Sequence, residues 1–298
     1  MSQNARIDNA RIARLFIYPV KSCAGVELQE AIVTETGLEF DRAWAVVDEE
    51  GEFLSQREHP RMALIQPRMR HSDMVLRAPG MLALHVGLNE VEEPMRARVW
   101  DDVVQAYDMG AVAAQWFSDF LGVRARLVRF DPEHRRLAEM KWTAGREVIT
   151  QFADGFPLLV TSEASLAQLN DRLTAAGQSP VGMERFRPNI VLSGVAAHAE
   201  DAIASLVVQG AQGDIDMRPC KPCGRCQIPD VDPASGVPGS GVLAALAAYR
   251  REPRIGGAVA FGMNTFVAAG AEDTLCVGQA VRCDAHLQSG PPAAAGAP

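Results

Sequence analysis

The chain has 298 residues, enough for one large or two ordinary domains, each with its own core. Its 48% hydrophobic and 22% charged residues make a normal globular mix that excludes fibrous, collagen-like and wholly disordered classes. A net charge of -8 argues against a general nucleic-acid binder, which shows a basic face and a high pI.

In chain order, the start "MSQNARIDNARIARLF" interleaves Asp8 with Arg6, Arg11 and Arg14, so it lacks the apolar run of a secretory leader. No window reaches the roughly 18 apolar residues of a membrane helix. The expectation is a cytoplasmic protein with no membrane and no nucleic-acid partner. "RLFIYPV" (14–20) and "EAIVTE" (30–35) predict strands, and "AWAVVDEEGEFLSQ" predicts a hairpin turning near Glu50-Gly51. "MLALHVGL" (81–88) predicts a strand, and "RARVWDDVVQAYDM" a hairpin turning at Asp101-Asp102. Helices come later: 111–123, closed near Gly122, a second capped by Thr161 or Ser162 and ended by Gly177, and a third over 240–251. "GAVAFGMNTFVAAG" and "TLCVGQAVRC" return to strands. The fold class is mainly β (α+β), with an N-terminal β-barrel-like domain at 9–110, a β-rich domain with few helices at 111–285, and a disordered tail at 286–298.

"MRPCKPCGRCQIPDVDPASG" places Cys220, Cys223 and Cys226 three residues apart, with Lys221 and Arg225 between them. In a cytoplasmic chain the six cysteines are thiols or ligands rather than a disulfide framework. Zinc wants four ligands, and no second C-x-x-C or paired histidine follows, so only a site assembled from distant parts stays open. A cubane ferredoxin run needs a fourth cysteine where Asp230 stands. Two readings remain beside that zinc site: unliganded thiols in a tight Pro/Gly loop, or one thiolate favoured by Lys221 and Arg225 and offered to a soft metal whose other ligands come from an organic cofactor.

Two more stretches carry charge against apolar strands. From 17 to 65, Lys21, Ser22, Arg42, Gln56, Arg57 and Arg61 punctuate strand ends; from 184 to 194, "ERFRPNIVLSG" supplies Arg185, Arg187 and Asn189. As solvated strand ends these residues mean little, but converging they suit an anion such as a phosphate, with Asn189 free to read a heterocycle edge.

Together "YPVKSCAG", "LEFDRAWAVVD", "SQREHPRMALI", "FRPNIV", "CGRCQIPDVDPASG" and "FGMNTFV" resemble the MOSC-domain family in its own motif order, in particular its bacterial YcbX-type and amidoxime-reducing members. The resemblance spans residues 10–283. It implies a pterin molybdenum cofactor, with Cys226 as the protein's ligand to the metal. Lys21, Ser22, Arg42, Arg187, Asn189 and Arg225 are implied around the pterin and phosphate. The turn "ADGFP" implies further contact from Asp154, Gly155 and Phe156, through the backbone where relatives carry hydroxyl residues. No pyridoxal phosphate, haem or iron–sulfur group is expected in this chain. The implied activity is two-electron reduction of N-hydroxylated compounds (amidoximes, hydroxylamines, N-hydroxy bases), fed by a separate electron-donor protein of flavin reductase or ferredoxin type. A cofactor carrier or sulfur-transfer module using a Cys226 persulfide is the alternative. Pro229 and Asp230 replace two threonines common in relatives, and a change in the substrate rim or in the surroundings of Cys226 is expected there.

Overall fold

The computed structural model describes residues 5–7 and 9–285; the expected disordered tail lies outside them. A mainly β architecture is found, with three α-helices among the described residues: α1 (Ala111–Leu121), α2 (Glu163–Ala175) and α3 (Gly241–Ala247).

The largest sheet runs, neighbour to neighbour, through strands Ala5–Ile7, Val281–Ala285, Ile203–Gln209, Asp214–Gly224, Ala258–Ala269, Leu158–Ser162, Ile190–Ser193, Arg11–Ile17 and Val26–Leu28. Ladders along it are antiparallel except Leu158–Ser162 with Ile190–Ser193, which run parallel because α2 carries the chain back over the sheet. Successive side chains of a strand face opposite ways, so Leu15 and Ile17 join one core while Phe16 and Tyr18 join another, against α2 and α3. Covered on both faces, the sheet is a rigid platform.

In the N-terminal half a four-stranded sheet (Pro94–Val99, Asp102–Asp108, Arg126–Phe130, Trp44–Val47) and a three-stranded one (Gln66–Met69, Asp73–Arg77, Leu84–Gly87) bury one shared core with α1 around Trp44, Met62, Leu76 and Phe117. Each of these sheets ends in edge strands, so the barrel-like half coheres through its core rather than through a closed ladder.

Helix ends follow local chemistry. Gly122 closes α1 at φ +73, and Ser162 caps α2 by accepting from the Ser165 N–H. α3 stops at Ala247, short of the expected 251, because Arg251–Glu252 are drawn into a short ladder with Ala258–Ala269. Cys220 and Cys223, expected in a loop, lie instead at the end of a strand that stops at Gly224, with Cys226 two residues beyond it. Its prolines coincide with register shifts at Pro219/Lys221 and Pro222/Gly224, and past Met217 the ladder to Ile203–Gln209 has ended, leaving a free edge. The hairpin expected to turn at Asp101-Asp102 turns one residue earlier, since Val99 pairs with Asp102.

Candidate functional site

The ladder registers bring distant segments to one end of the large sheet. Phe16 N–H donates to Asn189 O and Asn189 N–H to Leu159 O, so the exits and entries of three strands lie side by side. Lys221 faces Asn264 one ladder further along, and Arg225 N–H closes the last rung on Val259 O at 2.7 Å. Between these ends lies a cleft open to solvent, lined by groups that meet from segments far apart in the sequence. Its lining includes every residue that the family resemblance implied: Lys21, Ser22, Arg42, Asp154, Gly155, Phe156, Arg187, Asn189, Arg225 and Cys226; Gln56, Arg61 and Arg185, named with them as charged or polar strand-end residues, are not part of it. It also includes Arg57 and Cys223, which the sequence offered as an anion-suited cation and a candidate thiol, and Phe53, Ser55 and Asn264, to which the sequence reading gave no role in the site.

Charge concentrates here. In a chain of net charge -8, five cations (Lys21, Arg42, Arg57, Arg187, Arg225) and one carboxylate (Asp154) line the cleft. Lys21, buried, donates to Phe152 O at 2.8 Å and to Asp154 Oδ1 at 2.5 Å. Burial lowers the Lys21 ammonium from its ordinary value, with Asp154 opposing. Burial also pushes the Asp154 carboxyl up, but Lys21, Arg57 and Arg42 outweigh it and hold the carboxyl well below the usual range. The Asp154 side chain keeps 63% of its surface open, and that surface is the cleft.

Arg42 and Arg187 both pack on one ring: their guanidinium carbons lie 4.5 and 4.2 Å from the Tyr18 centroid. Arg42 is held further by buried Asp41 (2.5 Å), Asn189 Oδ1 (3.0 Å) and Arg187 O (3.0 Å), and Arg187 by Cys23 O (2.5 Å). Burial, then the like charge of Arg42, pushes Arg187 down to about 10, so it stays charged at neutral pH. Asn189, expected to read a heterocycle edge, lines the cleft with its amide engaged within the protein. Its Oδ1 accepts from Leu159 N–H and Arg42, and its Nδ2 donates to Phe16 O, so its amide stitches strands and aims Arg42.

Ser22, Arg42 and Arg187 all hold left-handed backbone (φ +67, +51 and +56). Such a conformation costs a non-glycine residue about 1–2 kcal/mol, and three together on one cleft mark a place where the surrounding fold imposes geometry. Gly155 carries no such demand: a Cβ there meets nothing within 4 Å.

The three cysteines separate. Cys220 turns from the cleft, donates to Asn264 O at 3.3 Å, and is pushed up to about 12 by burial, so it stays a thiol. Cys223 and Cys226 both line the cleft. The cations expected to serve Cys226 go elsewhere: Arg225 Nη1 donates to Cys223 Sγ at 3.0 Å, and Lys221 pairs with Glu139 at 3.1 Å. Arg225 Nε is buried and without a hydrogen-bond partner among the described residues. No three Cys, His, Asp or Glu side chains among the described residues assemble as a metal-binding group, which removes the support for a zinc centre built by the chain alone. Asp230, expected to alter the rim, is buried away from the cleft and accepts the N–H groups of Val242 and Leu243 at the start of α3.

Among the described residues no helix is long and apolar enough to cross a membrane. Two family models match the chain: the MOSC N-terminal beta barrel domain over residues 9–124 and the MOSC domain over residues 148–282. The chain is 36% identical to mitochondrial amidoxime-reducing component 1 of Mus musculus over 235 residues, 76% of this chain and 67% of that protein. It is 34% identical to mitochondrial amidoxime reducing component 2 of Homo sapiens over 235 residues, 76% of this chain and 68% of that protein. With human molybdenum cofactor sulfurase it shares 30% over 244 residues, 76% of this chain but 27% of that protein. With the cleft motifs falling inside both matched regions, the chain belongs to the MOSC-domain family.

Proposed function

We propose that the cleft binds a pterin molybdenum cofactor and that the protein is an oxidoreductase reducing N-hydroxylated compounds. The observation that carries this reading is the pairing, in one cleft of an acidic chain, of five cations with two thiols. Guanidinium and ammonium groups suit a phosphate, and a thiolate suits a soft metal. The unpartnered Arg225 Nε is a buried donor that such an anionic ligand satisfies. Relatives at 36% and 34% identity named as amidoxime-reducing components support the same class of substrate.

In this reading Cys226 supplies the protein's thiolate to the metal. Lys21, Arg42, Arg187 and Arg225 neutralise the anionic part of the cofactor, while Ser22, Asp154, Gly155 and Phe156 wrap it. Asn189 acts through Arg42. When bound, the molybdenum centre supplies two-electron chemistry at the N–O bond. The balance is R–NHOH + 2 e⁻ + 2 H⁺ → R–NH2 + H2O: the N–O bond breaks and the oxygen leaves as water. The electrons come from a separate donor protein of flavin reductase or ferredoxin type. The chain's own contribution is electrostatic and positional, holding a charged group in a geometry that the strained Ser22, Arg42 and Arg187 backbones keep fixed.

The test is expression in a cofactor-competent host, measurement of molybdenum and pterin per chain, and assay of benzamidoxime reduction with a chemical electron donor. About one molybdenum per chain with turnover lost in Cys226→Ala is expected. Bound cofactor with a Cys226 persulfide and no reduction would make the protein a carrier or sulfur-transfer module instead.

A further inference from the structure

The hairpin joining Pro94–Val99 to Asp102–Asp108 turns on two residues, Trp100 and Asp101, because Val99 pairs directly with Asp102. Trp100 takes φ +58, a conformation that two-residue hairpins ordinarily assign to glycine, asparagine or aspartate and that is costly for a bulky aromatic residue. Burial does not explain its presence, since 43% of Trp100 remains exposed.

What the indole touches belongs to the cleft. Its ring stands edge-on to Phe53 with centroids 5.0 Å apart, and the Arg57 guanidinium lies 4.4 Å from its centroid. Its Nε1 donates to Asp154 Oδ1 at 3.3 Å. Phe53, Arg57 and Asp154 all line the cleft, and Lys21 Nζ lies 5.1 Å from the Phe53 centroid. A strained aromatic residue is thus held beside the cleft by three of its lining side chains, with 43% of its surface still open to solvent.

We propose that Trp100, backed by Phe53, is a stacking lip that recognises the flat conjugated part of an incoming ligand and sets a preference for aromatic over aliphatic N-hydroxylated substrates. This rests on the reading of the cleft as an N-hydroxy reductase site. The lip acts by contact alone: ring-on-ring stacking favours a planar, conjugated amidoxime, and an aliphatic one gains little from it. Strained backbone at a ligand-facing residue is where such a cost is retained.

The experiment compares wild type with Trp100→Gly and Trp100→Phe in cofactor-loaded protein, using benzamidoxime and acetamidoxime as probes. The readout is the ratio of the two kcat/KM values, which is independent of how much cofactor each preparation holds. Trp100→Gly is expected to lower the benzamidoxime preference about ten-fold, Trp100→Phe to restore most of it, and the thermal midpoint of Trp100→Gly to hold or rise because glycine suits the turn. An unchanged ratio overturns the lip. A second arm needs no turnover: calorimetric binding of benzamidine, expected about ten-fold weaker in Trp100→Gly, with equal affinity overturning the lip. If wild type reduces neither amidoxime, the reductase reading fails, while the benzamidine arm still decides whether Trp100 stacks.

Discussion

Lys21 Nζ and Asp154 Oδ1 lie 2.5 Å apart across 133 residues of sequence, tying the exit of strand Arg11–Ile17 to the turn before Leu158–Ser162. Lys21→Met leaves the Asp154 carboxylate with Arg57 and Arg42 as its nearby cations and Trp100 Nε1 as its hydrogen-bond donor, in a less fixed geometry. Because 63% of the Asp154 side chain is open, the loss is about 1–2 kcal/mol rather than the ~3–5 of a fully buried pair. The carboxyl is held below its ordinary value, so this stabilisation is present above about pH 4 and fades as the pH falls further. Denaturant midpoints of wild type and variant should therefore converge in acid, while molybdenum content of the variant drops at neutral pH. Midpoints that stay parallel down to about pH 2 would contradict the pairing.

The thiols should react in a defined order. Burial pushes Cys23, Cys220 and Cys283 up to about 12, so at pH 8 they offer almost no thiolate. Cys223 and Cys226 line the open cleft. Limited iodoacetamide treatment of cofactor-free native protein, followed by peptide mass spectrometry, should label these two well before Cys23, Cys220 and Cys283. Early labelling of Cys220 would place it in the cleft and reopen a three-cysteine site.

Much of the site was legible because its residues sit in short motifs beside strong strand signals: Lys21 follows "FIYPV", and Arg187 and Asn189 precede "IVLS". What such motifs carry is residue type next to an element; what they omit is direction. The cysteine run shows this. Adjacency pointed Arg225 at Cys226, but the strand that extends through the prolines to Gly224 turns the guanidinium onto Cys223. Asn189 looked available for a ligand because its three partners come from residues 16, 42 and 159, distant in sequence. The turn at Trp100 was misplaced by one residue because turn chemistry favours Asp-Asp, and only the ladder register shows an aromatic side chain where a small residue is preferred.

Tyr18 supplies a sharper test of how the two arginines are held. Tyr18 is 1% exposed with both Arg42 and Arg187 packed on its ring, and its hydroxyl has no hydrogen-bond partner among the described residues. The hydroxyl is therefore dispensable and the ring is not. Tyr18→Phe should be neutral or stabilise by up to about 1 kcal/mol, since it removes an unsatisfied buried polar group. Tyr18→Leu should cost about 2–4 kcal/mol through lost packing and lost cation–π contact. Gly25 shows how closely the ring is seated: a Cβ there would meet a Tyr18 ring carbon at 2.5 Å, so Gly25→Ala should also destabilise. Urea unfolding of the three variants reads this directly. A Tyr18→Phe as damaging as Tyr18→Leu would show that the hydroxyl has a partner after all.

His198 contributes to the acid limb of stability beside the core that α2 and α3 form on the large sheet. Its ring packs on Tyr249 and Phe261 with centroids 5.6 and 6.2 Å away, and neither ring nitrogen is paired among the described residues. Arg250, bridged to Asp201, and Arg172, over the Tyr249 ring, are the cations that face it. Burial first, then those cations, push the imidazole down to about 4 from an ordinary value near 6.5. Above pH 6.5 both folded and unfolded chains carry a neutral ring. Between 6.5 and 4 only the unfolded chain gains the proton, so stability falls with pH, by about 1–2 kcal/mol for a half-buried ring. Burial raises Glu200 and Asp201 and works in the opposite sense, so the wild type alone does not isolate the effect. His198→Asn, which tolerates the φ of +61 at this position, removes the titrating ring and keeps the backbone. The difference in urea midpoint between wild type and His198→Asn should shift against the wild type as pH falls from 6.5 to 4, and a difference independent of pH would mean that the imidazole is protonated in the fold.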